Sequence, residues 1–225
     1  MSSLPALLES ALERREALLA GLHAEGTDAY RLFHGIAEGR PGLTIDRYGP
    51  LILAQTFRER PAPEDLDAAR DLLGARLPYP FTFHHNHRGK DSAGLAVRKR
   101  PTRPGEPGAV QCREFGLKFL IRARHGDLDP WLFLDLRAGR RVLRDGVKDR
   151  SVLNLFAYTC SAGVCAAAAG ASEVWNVDFS SANLEIGRTN AQLNGILDER
   201  FRSVAMDCLP ALRQLAGLPV GGRYG

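Results

Sequence analysis

Nowhere do the 225 residues offer the roughly 20 consecutive apolar positions that a membrane-spanning helix needs. The longest apolar stretch, Val152 to Ala171, is broken by Asn154, Ser161 and two glycines. The N-terminus has no basic segment leading into an apolar block, so a secretory signal is not expected. Cysteine is scarce: Cys112, Cys160, Cys165 and Cys208 form neither a disulfide framework nor a CxxC zinc pattern. A reducing, cytoplasmic compartment follows as the expectation. Internal repeats are missing too. Lysine is nearly absent, with 4 against 26 arginines, a ratio that reads as genome composition and deprives any single arginine of meaning by identity alone.

What remains is ordinary globular material, 44% apolar and 25% charged, of a length that suits one large domain or two small ones. Its charge is uneven. Residues 84–125 carry a net +7 within a chain whose total is +4, while residues 1–83 carry a net −3. A concentrated basic stretch is the footprint of a polyanion contact, because each neutralised phosphate releases counterions; a solvated loop without a partner gives the same pattern.

The spacing predicts a helix over residues 3–21, with Leu4, Leu8, Leu12, Leu18, Leu19 and Leu22 near a 3.6-residue period, Ser3 as cap and Gly21 as stop. Short runs follow: YRLFHGI, GLTIDRYG and LILAQTF, the last two joined by a tight antiparallel connection at Tyr48-Gly49-Pro50. A helix over 63–76 with acids in its first turn and a strand at FTFHHN complete a small α+β unit. A Gly/Pro/charge-rich connection occupies 88–108, and a strand pair turning at Phe115-Gly116 closes it. Beyond Trp131 strands alternate with helical patterns: SVLNLF, a small-residue helix near 162–169, EVWNVDF, SANLEIGRTNAQLNG, RFRSVAM and LPALRQLAG. That alternation predicts a parallel sheet. The expected division is an N-terminal helix over 1–27, a small α+β domain over 28–126 and an α/β domain from 127.

In such a sheet ligands lie beyond the carboxyl ends of the strands. Three strand ends there present the turn AYTCSAG, the acid Asp178 and the acid Asp207. Asp178 suits a ribose diol and Asp207 an adenine amino group. A dinucleotide needs a glycine-rich turn for its pyrophosphate, and the turn holds one glycine, Gly163, so NAD and FAD are disfavoured. S-adenosylmethionine has no phosphate and needs no such turn. A plain α/β domain whose acids cap helices stays open as an alternative, since Asp178 lies directly before SSANLE.

FLDLRAGRR at 133–141, LNLFAYTCSAG at 153–163, VDFSSANLEIGRTNAQLNG at 177–195 and MDCLPAL at 206–212 resemble the bacterial 23S ribosomal RNA methyltransferases. The nearest branches modify carbon 5 of cytosine or nitrogen 7 of guanine. YRLFHGIAEGRPGLTIDRYGPLILAQ resembles the small α+β domain that precedes the catalytic domain there, so the resemblance covers most of residues 28–215. It implies an α/β chain in which that small domain is followed by a Rossmann-like, class I methyltransferase domain. It further implies an S-adenosylmethionine site built from Arg137, the loop residues Asn154, Phe156, Tyr158, Thr159 and Gly163, then Asp178 with Phe179 beside it, and Asp207. Arg137 would pair with the methionine carboxylate, and Phe156 is expected to pack in the core. Ribosomal RNA is the implied partner, with Arg88, Lys90, Arg98, Lys99 and Arg100 as contacts.

Two departures stand out. Cys160 occupies a position that is usually glycine in the family, with Gly163 three residues later. No DPP-type motif occurs before the sequence ends at GGRYG, so the sheet is expected to be incomplete, to lack its base pocket and to leave its first strand with an open edge. A catalytically inactive RNA-binding remnant is therefore the rival expectation. No catalytic residue is assigned: the cysteine nucleophile of a carbon-5 mechanism lies in the missing part, and Cys160, Cys165 and Cys208 read as buried structural residues. His84, His85 and His87 divide between the two faces of a strand, so no metal site is expected.

Overall fold

The computed structural model describes residues 3–88, 108–123, 130–196 and 199–220. Of the expected RNA contacts, Lys90, Arg98, Lys99 and Arg100 lie outside the described residues. The chain forms two compact units, the first comprising 1–116 and 121–130, the second 117–120 and 131–225.

The first unit begins with α1 (Leu4–Ala24), capped by the Ser3 hydroxyl and carrying Leu4, Leu8, Ala11, Leu12 and Leu22 on its buried face. Gly21 does not stop this helix. The terminator is Gly26, whose φ of 74° allows the Thr27 amide to reach back to the Leu22 carbonyl at 2.8 Å. Leu18 faces outward, 60% exposed. Strands β1 (Ala29–His34), β2 (Leu43–Tyr48) and β3 (Leu51–Thr56) pair antiparallel, and α2 (Pro63–Arg76) returns the chain so that β4 (Thr82–His87) lies parallel to β3. The expected α2 boundaries are met at both ends. Leu4, Leu8, Phe33, Ile45, Ile52 and Leu73 meet in one apolar core between helices and sheet. Two acids are buried with cationic partners. Asp46 takes two bonds from Arg31, at 2.7 and 3.1 Å. Glu38 takes Arg15 at 2.7 Å and the His34 amide at 2.8 Å.

The chain passes to the second unit through consecutive strands β5 (Val110–Glu114) and β6 (Leu117–Ile121). There α3 (Arg137–Gly146) precedes β7 (Ser151–Leu155), α4 (Ser161–Ala168), β8 (Glu173–Asp178), α5 (Ser181–Leu193), β9 (Phe201–Ala205) and α6 (Cys208–Leu215). The sequence reading missed α3, because RAGRRVLRDG holds only Val142 and Leu143 as large apolar residues, so its one-sidedness is carried by charged residues rather than by an apolar stripe. The three strands are parallel in the order β7-β8-β9, with Leu155 opposite Val177 and Asp178 opposite Ala205. Among the described residues β7 is paired on one side only. The core is built of small clusters: Val147, Ala166, Ala171 and Val174; Ala157, Cys160 and Leu184; Val177, Cys208 and Ala211. No helix among the described residues is long and apolar enough to cross a membrane.

Candidate cofactor-binding site

Parallel strands feeding helices place every strand's carboxyl end on one edge of the sheet, so the segments after β7, β8 and β9 share that edge. The segment after β7 is the unusual one. Phe156, Tyr158 and Cys160 have φ of 52°, 49° and 57°. Non-glycine residues in the left-handed region cost about 1 kcal/mol or more each and persist only where surroundings over-determine them. Here the surroundings are explicit. The Ala157 amide donates to the Val177 carbonyl at 3.0 Å, and the Tyr158 amide to Asp178 Oδ2 at 2.9 Å. The Phe156 amide donates to Cys208 Sγ at 3.3 Å. The Thr159 hydroxyl donates to the Trp131 carbonyl, and Asn190 Nδ2 to the Thr159 carbonyl at 3.1 Å.

Asp178 is buried and joins two segments, since its Oδ1 also accepts the Ser180 amide at 2.9 Å. It does not cap α5; Ser180 does, accepting the Asn183 amide at 3.3 Å. Each carboxylate oxygen has a further lone pair, so Asp178 retains acceptor capacity after ordering the backbone around it. Asp207 is exposed and caps α6 through Oδ1, which accepts the Leu209 amide at 2.8 Å. Its second oxygen is not used by that cap.

The aromatic residues depart from expectation. Phe156 is not a core residue: it is 75% exposed, because its left-handed backbone turns the ring out of the sheet edge. Phe179, one residue beyond Asp178, is 77% exposed. Two large apolar rings thus stand open at the ends of β7 and β8. Tyr158 is half-buried against Phe133, ring centres 5.3 Å apart.

Gly163 lies inside α4, where an added Cβ would come within 2.0 Å of Asn176 Oδ1. It lets the helix approach β8; it is not part of the preceding turn. Asn176, fully buried, accepts a bond from Asn154 Nδ2 at 2.9 Å and donates to the Arg202 carbonyl at 3.1 Å. Cys160 holds the left-handed position that glycine fills most easily, and Gly187 compensates: a Cβ there would sit 2.3 Å from Cys160 Sγ. Burial pushes the Cys160 thiol up to about 12, with the Asp178 carboxylate acting in the same direction against Arg188. A thiol so held is no nucleophile at neutral pH. All four cysteines are buried and none is in a disulfide.

Arg137 stands half-buried in the first turn of α3. The more deeply placed arginine is Arg140, 2% exposed, whose Nη2 donates to the Phe133 carbonyl at 2.8 Å and whose Nη1 lies 3.5 Å from Ser161 Oγ. Sequence reasoning missed this clamp, as it missed Asn190 and Asn194. Asn190 Oδ1 accepts the Leu120 amide and Asn194 Oδ1 the Lys118 amide, both at 2.8 Å. The i, i+4 spacing of two asparagines in TNAQLNG was the available signal.

In the first unit Thr56 Oγ1 lies 2.9 Å from His85 Nε2 and 2.8 Å from His87 Nδ1. His85 and His87 therefore share a face and a single hydroxyl, which donates to one ring and accepts from the other. Arg88, which follows, lies 5.3 Å from the Phe57 ring centre. No group of three metal-ligating side chains occurs among the described residues.

Comparison with known proteins adds the family context. Residues 30–216 match the family model described as S-adenosylmethionine-dependent methyltransferase. The chain is 31% identical over 198 residues to ribosomal RNA large subunit methyltransferase I of Escherichia coli and of Shigella flexneri, a match covering 84% of this chain and 48% of those proteins. The chain thus spans about half the length of the curated relatives it matches. Among solved structures, a protein from Streptococcus mutans described as a SAM-dependent methyltransferase superposes with a TM-score of 0.76 at 22% identity, over 96% of this chain and 55% of that one. A methyltransferase structure complexed with SAH has a TM-score of 0.76 at 23% identity and the same coverage. A SAM-dependent methyltransferase from Agrobacterium tumefaciens reaches 0.56 at 22% identity, over 85% of this chain and 56% of its own. These likenesses establish the fold as α/β and Rossmann-like in its second unit.

Proposed function

Since the chain belongs to the S-adenosylmethionine-dependent methyltransferase family, we propose that its second unit binds S-adenosylmethionine and that it serves methyl transfer to a base of large-subunit ribosomal RNA in the cytoplasm. The observation that carries the cofactor reading is Asp178, a buried carboxylate at the end of β8 that orders two neighbouring segments and keeps acceptor capacity for a ribose diol. The exposed rings of Phe156 and Phe179 offer apolar faces to the adenine, and the unused oxygen of Asp207 accepts from its amino group. Arg137 faces the methionine carboxylate. Tyr158 and Thr159 shape the loop, and Asn154 and Gly163 act from behind through Asn176.

When bound, the cofactor supplies an electrophilic methyl group on a sulfonium. The chain's own contribution is placement: the hydrogen-bonded, left-handed loop fixes where the cofactor lies before the acceptor base arrives, which is where the rate gain of a transfer without protein nucleophile comes from. The RNA reading rests on the 31% identity to the ribosomal RNA enzymes and on the net +7 of residues 84–125, with Arg88, Lys90, Arg98, Lys99 and Arg100 as contacts to phosphate.

Calorimetry with SAH tests the cofactor reading. Saturable binding is expected with SAH and none with NAD, and Asp178→Ala should weaken SAH binding at least tenfold. A folded sample that gives no heat with SAH overturns the proposal. Transfer of labelled methyl groups to unmodified 23S rRNA, against 16S rRNA as control, tests the substrate class. Retained RNA binding without transfer would favour the RNA-binding remnant instead.

A further inference from the structure

The first unit buries a positive charge that no carboxylate among the described residues meets in an ion pair. Arg47, on β2, is 9% exposed. Its Nε donates to the Gly49 carbonyl at 3.0 Å and its Nη1 to the Tyr30 hydroxyl at 2.6 Å. The guanidinium lies 3.4 Å from the centre of the Tyr79 ring, and His23 Nε2 is 3.3 Å from Nη1 and 2.6 Å from the Tyr30 hydroxyl. None of these partners is a carboxylate. Burial and the nearby Arg47 lower the pKa of His23, against a smaller opposing effect of Asp28, and burial raises that of Tyr79. The unit's other buried ion pairs contrast with this: Arg31 faces Asp46 and Arg15 faces Glu38, whereas no carboxylate among the described residues lies within ion-pair distance of Arg47. A cation removed from water without an anion is costly to fold around, and a bound anion removes that cost.

Space for one is at hand. A cleft of about 320 Å³ opens beside Arg47 and is lined also by His23, Asp28, Tyr79 and Arg113. Asp28 is its one acid, and Asp28 Oδ1 already accepts the Arg113 amide at 2.6 Å. Two guanidiniums therefore face one carboxylate. A second cleft of about 480 Å³ shares His23, Pro78 and Tyr79 as a common wall; Leu12, Leu19 and Leu77 give it apolar surface, and Glu16 and Arg76 place one charge of each sign in its lining. The smaller cleft carries an excess of positive charge, the larger one is charge-balanced with several leucines, and Tyr79 and His23 line both.

We propose that this pair of clefts is a nucleotide-binding site, distinct from the cofactor site of the second unit, that takes a phosphate on Arg47 and Arg113 and a planar base against Tyr79, Leu19 and Leu77. Guanidinium forks match phosphate oxygens, and bases stack on aromatic faces whatever their identity. A free mononucleotide and a residue of a single-stranded RNA present the same chemistry, and the test separates them.

The probes are uridine 5′-monophosphate, uridine and hexauridylate, titrated by tyrosine fluorescence and calorimetry with SAH present in excess. Pyrimidines keep any adenine-specific site out of the readout. Saturable binding of uridine monophosphate or hexauridylate is expected, with uridine at least tenfold weaker and with affinity falling as salt rises. Preference for the monophosphate identifies a free nucleotide; preference for the hexamer identifies RNA. Because Arg47 is buried and its loss can unfold the unit, the variants are Arg113→Ala and Tyr79→Leu. Each should weaken binding about tenfold while leaving SAH affinity unchanged; Arg113→Ala should also keep the original melting temperature, and Tyr79→Leu, which uncovers Arg47, is measured at a temperature where it stays folded. No saturable binding, equal binding of uridine and its phosphate, or wild-type affinity in both variants overturns the proposal. Failure of SAH to bind overturns the cofactor reading alone.

Discussion

The two units are held together by different means. The first packs large apolar side chains, among them Phe33, Ile45, Ile52 and Leu73, into one core, and every residue of β2 and β3 is buried. The second has small apolar clusters of Ala, Val and Cys, and fixes its segments with buried polar side chains: Asn176, Asn190, Asp178 and Arg140. Apolar packing is non-directional and yields stability, whereas hydrogen bonds fix position. The first unit buries polar groups as well, Glu38, Asp46 and Arg47 among them, but beside a large apolar core; in the second the apolar clusters are small, and hydrogen bonds hold three left-handed residues in one loop.

Perturbing each unit in its own idiom sharpens the contrast, and the largest effect is expected in the apolar core. Phe33→Ala should cost about 3–5 kcal/mol in urea unfolding by removing a fully buried ring, with SAH affinity unchanged in the protein that remains folded. Asn190→Ala strands the Leu120 amide and the Thr159 carbonyl. It should cost about 2–3 kcal/mol and, unlike the core variant, also weaken SAH binding severalfold; calorimetry at a temperature where the variant stays folded separates the two effects.

Next comes the pair formed by Cys160 and Gly187. Gly187→Ala should destabilise by about 1–3 kcal/mol through its clash with the Cys160 sulfur, and adding Cys160→Gly should restore most of that loss. A double variant no more stable than Gly187→Ala alone would show that the glycine serves something other than the thiol.

The smallest effect is on pH dependence and belongs to the first unit. Burial, then His87, Arg60 and His84, lower His85 from 6.5 to about 4. The unfolded chain takes up this proton near pH 6.5 while the folded chain resists it until about 4, so stability should fall as pH drops across that window. About 1 kcal/mol is expected once solvent access to the ring is allowed for. Melting temperatures of His85→Gln against the original chain between pH 7 and pH 4 measure it; parallel curves would remove His85 as the cause.

Much of this was legible beforehand for a local reason. The strands LTIDRY and LILAQT are bounded by turn residues, and α2 begins at a proline followed by acids, signals that need no tertiary context. That Asp178 and Asp207 follow strands was legible too, because strand and helix patterns alternate along this part of the chain. What escaped were residues whose role depends on a distant partner. Arg140 is one arginine among 26 until the fold buries it against the Phe133 carbonyl. Phe156, apolar at the end of an apolar strand, was expected inside, and only a backbone turned left-handed puts it outside. Helix α3 has too little apolar surface to announce itself.

The sequence by itself thus determined the order of elements, the α/β class and the kinship with methyltransferases, because periodicity, turn chemistry and motif order are properties of neighbouring residues. The tertiary structure alone decided that Gly163 and Gly187 are there for packing, that Asp178 ties two segments together, and that Arg47 is buried with no carboxylate among the described residues in ion-pair contact. Each of these is a relation between residues far apart in the chain, set by which atoms close approach brings within hydrogen-bond or van der Waals distance.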